Sequence, residues 1–208
     1  MRETAPYVER LLWSAGLARV AGVDEVGMGP LAGPVVAAAV VFAAGATPLR
    51  GIADSKLLSA PAREEAAAAI RETALGVGLG VVDPEEIDRL NIYRAGLEAM
   101  RRAVAALPFA PDHLVVDARH IPDLDVPQTR YVRADAIVYS VAAASIVAKV
   151  HRDGLMQAVD ALYPVYGFAR HVGYATPEHL RALAAHGPTP LHRRSFAPCA
   201  AAAARAGA

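Results

Sequence analysis

VAGVDEVGMGPLAGPVVAAAVVF, residues 20–42, decides how the chain is read. Its ends, 20–26 and 34–42, are Val- and Ala-rich runs that read as buried strands, and the Gly/Pro segment 27–33 reads as the turn joining them into a hairpin. An adjacent acid pair, Asp24 and Glu25, sits near the end of the first run. Neighbouring side chains on a strand point to opposite faces unless the chain bends, and Gly27, Gly29 and Pro30 supply a bend. A carboxylate among apolar neighbours is costly unless a cation or donor compensates it. Two readings follow: a solvated strand end with two surface acids, or a ligand site, since open α/β sheets bind ligands at strand ends.

The segment GMGPLAG contains Gly-x-Gly after a strand, as a dinucleotide fingerprint does. That fingerprint must open a helix whose N-terminus holds a pyrophosphate. Pro30, Pro34 and a β-branched run follow instead, so the dinucleotide reading fails.

Working outward, residues 1–19 read as a short amphipathic helix, and Ser59 as the cap of a helix reaching about residue 73. A strand follows at 74–82, then a helical stretch interrupted near Asn91. HLVVDA, 113–118, is a strand ending on an acid; a short strand near 128–133 leads to a long helix over about 136–161. One more helix is expected at 177–186. Strands first, then strands alternating with helices, argue one α/β sheet covered by helices. The expected organisation is an N-terminal helix 1–19, a core 20–162, a helical extension 163–198 of the same domain, and a disordered tail 199–208.

With 208 residues the chain can bury one substantial core. Its balanced charge of +0 lacks the basic footprint usual in nucleic-acid-binding domains. The apolar run 136–150 is too short to span a bilayer and carries Lys149. No secretory signal opens the chain, and the single Cys199 permits no internal disulfide, so a reducing cytoplasm is expected. Of 21 basic residues only Lys56 and Lys149 are lysine. Such a bias reserves lysine for places that need a compact ammonium, or arises by chance.

Two further acids share the strand-end setting. Asp117 ends the apolar run LVV, and Asp135 directly precedes the long helix, where it could cap the helix, bind a ligand, or do both. Four carboxylates converging within about 4–6 Å repel strongly, one pair at about 4 Å costing about 4 kcal/mol at an effective dielectric near 20. Such a cluster needs protonation or hard divalent cations. All-oxygen ligands select Mg²⁺ or Mn²⁺ over zinc, and a two-metal arrangement suits phosphodiester hydrolysis. Among the 7 histidines none has HExxH spacing, and one cysteine excludes a thiolate zinc site.

Taken together and in order, GVDEVGMGPLAGPVVAAAVVF, DSKLLS (54–59), EIDRLNIYRAGLEAM (86–100), LVVDA, ASIVAKVHRD (144–153), YGFARHVGYATPEHLRALAAHGP (166–188) and HRRSF (192–196) resemble the ribonuclease HII family over nearly all of residues 20–198. The resemblance implies a ribonuclease H-like α/β fold with a five-stranded mixed sheet and a helical C-terminal part. It implies a cytoplasmic endonuclease, dependent on two Mg²⁺ or Mn²⁺ ions, that cuts the RNA strand of RNA–DNA hybrids. It would also cut duplex DNA on the 5′ side of embedded ribonucleotides, leaving 3′-hydroxyl and 5′-phosphate ends. The family's catalytic and metal-binding acids fall on Asp24, Glu25, Asp117 and Asp135. Recognition of the 2′-hydroxyl, the group that distinguishes RNA from DNA, falls on the backbone of Gly27, Met28 and Gly29, and packing against the neighbouring deoxyribose on Tyr174. Lys56 and Lys149 would contact substrate.

Three positions depart from the family pattern: Met28 replaces Arg, Leu57 replaces Lys, and Val172 replaces Lys. If each had met a phosphate, the salt dependence of binding falls by about 0.9 per lost contact. Lys56, Lys149, Arg170 and the pair Arg193–Arg194 could compensate, although the last pair reads equally well as a solvated tail. The rival readings are a different ribonuclease H-like nuclease of resolvase or integrase type, a family variant with weakened or altered specificity, and a non-catalytic binding module. A pure polyanion binder gains nothing from clustered acids. No QxxLxxFF-like sliding-clamp box is seen near the C-terminus, and a monomer is expected.

Overall fold

The computed structural model describes residues 4–206. Its strands are β1 (Val20–Val26), β2 (Val35–Val41), β3 (Gly76–Val82), β4 (His113–Asp117) and β5 (Gln128–Tyr131). The helices are α1 (Tyr7–Ser14), α2 (Ala60–Thr73), α3 (Pro84–Leu90), α4 (Ile92–Ala105), α5 (Tyr139–Asp160), α6 (Phe168–His171), α7 (Pro177–His186) and α8 (Ala197–Ala206). Two 3-10 turns, Ser55–Leu57 and Ala134–Ala136, complete the element order. One mixed five-stranded sheet runs β3-β2-β1-β4-β5, with β1 antiparallel to β2 and parallel to β4, and β4 parallel to β5.

Local signals account for most boundaries. The Ser59 side chain accepts a hydrogen bond from the Ala62 amide, and the Asp83 side chain accepts one from Glu86, opening α2 and α3 respectively. Asn91, in positive φ at 71°, ends α3 and separates it from α4. The tail from Cys199 onward, expected to be disordered, instead continues α8 through Ala206. Cys199 and Ala202 are buried beside Leu31 and Leu183, so this alanine-rich stretch has an apolar stripe to bury.

The chain forms two compact units. The first holds the described residues up to Val26 together with Val36–Val81 and Leu97–Val150; the second holds Gly27–Val35, Val82–Gly96 and the chain from His151 onward. The second unit therefore takes in more than the C-terminal extension expected from 163–198, because the turn after β1 and the segment containing α3 belong to it. Within the first unit, every residue of Val36–Val41 is buried, and Val8, Leu12 and Trp13 of α1, with Leu17 just beyond it, pack against Val20, Val115, Val138 and Val141. Each fully buried valine of this cluster contributes about 1.5–3 kcal/mol, and the partly buried side chains less. α5 crosses β1 so closely that a Cβ on Gly22 would stand 2.2 Å from the carbonyl carbon of Ser140. Only glycine admits that approach, and it brings the polar residues of α5 down to the sheet.

The N-terminus of α5 is capped from a distance. The Ser140 amide and hydroxyl donate to Glu9 Oε1 at 2.7 and 2.6 Å, and Glu9 is 1% exposed. A capping role for Asp135 is thereby excluded: Asp135 lies in the 3-10 turn Ala134–Ala136, which separates it from the start of α5.

Candidate active site

The first unit assembles the four acids. In the parallel ladder of β1 and β4, Val23 pairs with Val116, so Asp24 and Asp117 follow side by side where that ladder and β4 end. Asp117 then anchors the next segment, its Oδ1 accepting the Ala134 amide at 2.6 Å and thereby fixing the turn that carries Asp135. Asp24 and Asp135 are each 5% exposed. Asp24 Oδ1 accepts the amide of Glu25 at 2.7 Å, and a hydroxyl of α5, Ser145, also hydrogen-bonds its side chain. Ser145 lies 3.0 Å from the Ser55 hydroxyl, tying in the segment DSKLLS.

Two cations answer this acidity. Lys56 Nζ lies 3.1 Å from Asp135 Oδ2, presented by a 3-10 turn whose first amides Asp54 caps. The Arg119 guanidinium lies 3.1 Å from Glu25 Oε1. Neutralisation is incomplete. Burial, followed by the charges of Glu25, Asp117 and Asp135, raises the Asp24 pKa well above the ordinary aspartate value, with Ser145 opposing. Glu25 is raised too, chiefly by burial and against the pull of Arg119. Burial raises Asp117 despite the Ala134 amide. For Lys56 desolvation is the largest single influence and lowers the pKa, but the hydrogen bond to Asp135 and the charges of Asp135, Asp54 and Asp24 together outweigh it and leave the pKa raised.

The donor set is entirely oxygen, as hard divalent cations require. Glu25 Oε2 is buried with no hydrogen-bond partner, an acceptor that an additional cation would satisfy. Among the described residues no group of three His, Cys, Asp or Glu side chains is placed as it would be around a metal ion. Lys56 and Arg119 occupy two of the carboxylates instead.

The second unit contains the residues assigned to sugar recognition. Gly27 is buried at φ 92°, where a Cβ would lie 2.4 Å from Arg152 Nε, so glycine is required there. A Cβ on exposed Gly29 would stand 3.7 Å from Cε1 of Tyr174, which places the tyrosine ring beside the turn. Two fully buried arginines hold this turn from behind. Arg152 donates to the carbonyls of Pro34, Val172 and Ala32 at 2.9–3.1 Å. Arg193 donates to those of Gly27, Met28, Pro30, Gly33 and Pro34, the shortest being 2.6 Å from Gly27.

Residues 21–199 match the family model for Ribonuclease HII. The chain belongs to the ribonuclease HII family. It is 54% identical over 190 residues to a ribonuclease HII of Geobacillus thermodenitrificans, covering 91% of this chain and 73% of that protein. Against a ribonuclease HII of Herpetosiphon aurantiacus the identity is again 54%, over 94% of this chain and 96% of the relative. The ribonuclease H2 of Pyrococcus horikoshii superposes with a TM-score of 0.77 at 26% identity, covering 90% of this chain and 98% of its own. The protein is thus an endoribonuclease of the RNase H type, acting on RNA paired with DNA. The resolvase, integrase and binding-module readings fall away. No helix among the described residues is long and apolar enough to cross a membrane.

Several expected residues land differently. Arg193 is no solvated tail residue but a fully buried one, while Arg194 is exposed and its amide donates to Asp88. Arg170 pairs with Glu178. Lys149 is half-buried on α5, one turn beyond Ser145 on the same face. Leu57 is 64% exposed, Met28 half-buried, and Val172 sits in the left-handed region at φ 43°. Arg119, Ser145 and Arg152 escaped the sequence reading. Arg119 carried the one available signal, standing two residues beyond a strand-end acid.

Proposed function

We propose that this ribonuclease HII cuts the RNA strand of hybrids and also duplex DNA 5′ to an embedded ribonucleotide, leaving 3′-hydroxyl and 5′-phosphate ends. The observation that carries this reading is the electrostatic frustration of the first unit: Asp24, Glu25 and Asp117 are all raised in pKa, and Glu25 retains a buried oxygen without a partner. Asp24, Glu25, Asp117 and Asp135 are the residues that would hold Mg²⁺ or Mn²⁺. Bound there, two such ions supply water activation and charge stabilisation of the leaving 3′-oxygen.

The protein's own residues prepare that site. Ser145 and the Glu25 amide orient Asp24; the Ala134 amide orients Asp117. Lys56 and Arg119 hold Asp135 and Glu25, which limits repulsion in the metal-free protein. Lys56, at the edge of the acid cluster, and Lys149 are the candidate phosphate contacts. The amides of Gly27, Met28 and Gly29 read the 2′-hydroxyl, and the Tyr174 ring packs on the deoxyribose that follows. Because backbone amides do the reading, Met28 in place of arginine preserves selectivity and weakens only phosphate binding.

The test compares a duplex carrying one ribonucleotide, a duplex carrying four, and a full hybrid, each with Mg²⁺, with Mn²⁺ and with chelator. Nicking 5′ to the single ribonucleotide, lost in chelator, is expected. Cleavage confined to the full hybrid would remove the embedded-ribonucleotide reading, and full activity in chelator would remove the metal.

A further inference from the structure

Behind Tyr174 the second unit buries three histidines whose hydrogen bonds have one consistent direction. The Thr189 amide, which can only donate, lies 3.0 Å from His192 Nδ1. A neutral His192 therefore carries its proton on Nε2, 3.0 Å from His179 Nε2. His179 must accept there, so its own proton sits on Nδ1, 2.9 Å from the carbonyl oxygen of Tyr174. The relay thus runs Thr189 to His192 to His179 to Tyr174, each link fixing the tautomer of the next. His179 is 0% and His192 1% exposed, and burial lowers both pKa values, His192 to about 4, so both rings stay neutral as the relay demands.

The third ring completes the clamp. The Gly173 amide donates to His171 Nδ1 at 3.2 Å, leaving His171 Nε2 to donate to the Tyr166 carbonyl at 2.8 Å. His171 stacks on His179 with centroids 4.6 Å apart, and its own carbonyl accepts the Tyr174 amide at 2.9 Å. The main chain of Tyr174 is held at its N–H by His171, and at its C=O by His179 together with the Thr176 amide at 2.8 Å. Rings that merely filled the core against Tyr166 and Phe168 would need no such polarity; phenylalanines would serve.

We propose that His192 and His179 are positioning residues: through a fixed pair of tautomers they set the main chain of Tyr174, and with it the ring that meets the sugar beside the ribonucleotide. This rests on the reading of Tyr174 given above. His192 acts two groups away from the tyrosine, touching neither substrate nor reacting atoms. Without its Nε2–H, the buried Nε2 lone pair of His179 loses its donor, and the ring that donates to the Tyr174 carbonyl loses the bond that fixes its tilt.

The experiment has two arms. Nitrogen-15 NMR of the histidine rings in the intact protein should show His179 protonated on Nδ1 and His192 on Nε2; His179 found on Nε2 overturns the relay outright. Kinetics on the one-ribonucleotide duplex with Mg²⁺ then test its purpose. His192→Phe should raise KM about 3- to 10-fold, the range set by one buried hydrogen bond, with kcat nearly unchanged. Adding His179→Asn, whose amide donates to the Tyr174 carbonyl whatever stands at 192, should restore KM to within about twofold. In a Tyr174→Ala background His192→Phe should add nothing, because the two act through one group. An effect of His192→Phe that survives Tyr174→Ala, or that His179→Asn fails to rescue, refutes the proposal. If Tyr174→Ala alone leaves KM unchanged, the tyrosine reading has failed, and the tautomers still report whether the relay exists.

Discussion

Asp24→Asn should stabilise the metal-free enzyme while abolishing its activity. The substitution keeps the shape and an oxygen that can accept the Glu25 amide, now 2.7 Å from Asp24 Oδ1. It removes one charge from a buried set in which Glu25, Asp117 and Asp135 all raise the Asp24 pKa, after burial itself. A carboxyl whose folded pKa is raised binds more protons in the native state than in the unfolded one. Its ionisation therefore costs stability at neutral pH, a cost relieved as pH falls toward the unfolded value of 3.8. One like-charge pair at about 4–6 Å costs about 3–4 kcal/mol at an effective dielectric near 20. Lys56 and Arg119 already offset part of this, so a net gain of about 1–3 kcal/mol is expected, or about 3–10 °C in Tm for a domain of this size. The assay is thermal unfolding at pH 7 in chelator and again with millimolar Mg²⁺. The order should invert on adding metal, because the ion stabilises the wild type by mass action and the variant little. Asp24→Asn that is destabilised in chelator by as much as in Mg²⁺ would falsify the view that the cluster is held against its own repulsion.

Other consequences are as concrete. Gly27→Ala places a Cβ 2.4 Å from Arg152 Nε at a φ of 92°, and should lower stability by about 2 kcal/mol or more and raise KM for the one-ribonucleotide duplex, both read on the same preparation. Met28→Arg should tighten binding of a ribonucleotide-containing duplex and steepen its log–log salt slope by about 0.9; an unchanged slope means no phosphate lies within reach of position 28. Burial pulls the His192 pKa from 6.5 to about 4, so the folded state binds fewer protons than the unfolded one between those values. Its contribution is fully present above pH 6.5 and lost as pH falls to 4, about 3 kcal/mol in all. Urea unfolding in chelator at both pH values should show that part of the acid destabilisation missing in His192→Phe.

Much of this was legible in the sequence for identifiable reasons. The hairpin of β1 and β2 announced itself because both runs are apolar apart from the acid pair of β1 and a Gly/Pro turn parts them. Asp24, Glu25 and Asp117 stood out as acids at the ends of buried strands, which few structural roles explain. Asp135 was found for a partly wrong reason: it does not cap α5, because Glu9, 131 residues before Ser140, performs that task. No local pattern encodes a cap supplied from so far away. The same holds for Arg193. Beside Arg194 in a Pro/His/Arg-rich segment it looks solvated, and only the fold shows the carbonyls it serves, about 160 residues earlier in the chain. Long-range polar contacts leave no periodicity to read; strand ends and caps do.

A net charge of +0 concealed the feature that matters most. Whole-chain charge argues about solubility and steering, and by that measure this is a neutral protein with no affinity for polyanions. Locally it is nothing of the kind. The first unit gathers four acids around two cations and leaves three of the acids raised in pKa. The second unit buries Arg152 and Arg193 at 0% exposure on carbonyl groups, with burial lowering both pKa values, Arg193 to about 9, still protonated at neutral pH. Buried charge of either sign is destabilising when its partner is missing, by several kcal/mol per ion. A chain selected for stability alone would replace such groups with apolar ones of similar volume. Here the acids stand where divalent ions would bind and the guanidiniums stand behind the glycine turn assigned to the sugar. The stability sacrificed in each unit therefore falls on residues, or on the supports of residues, that the reaction is proposed to need.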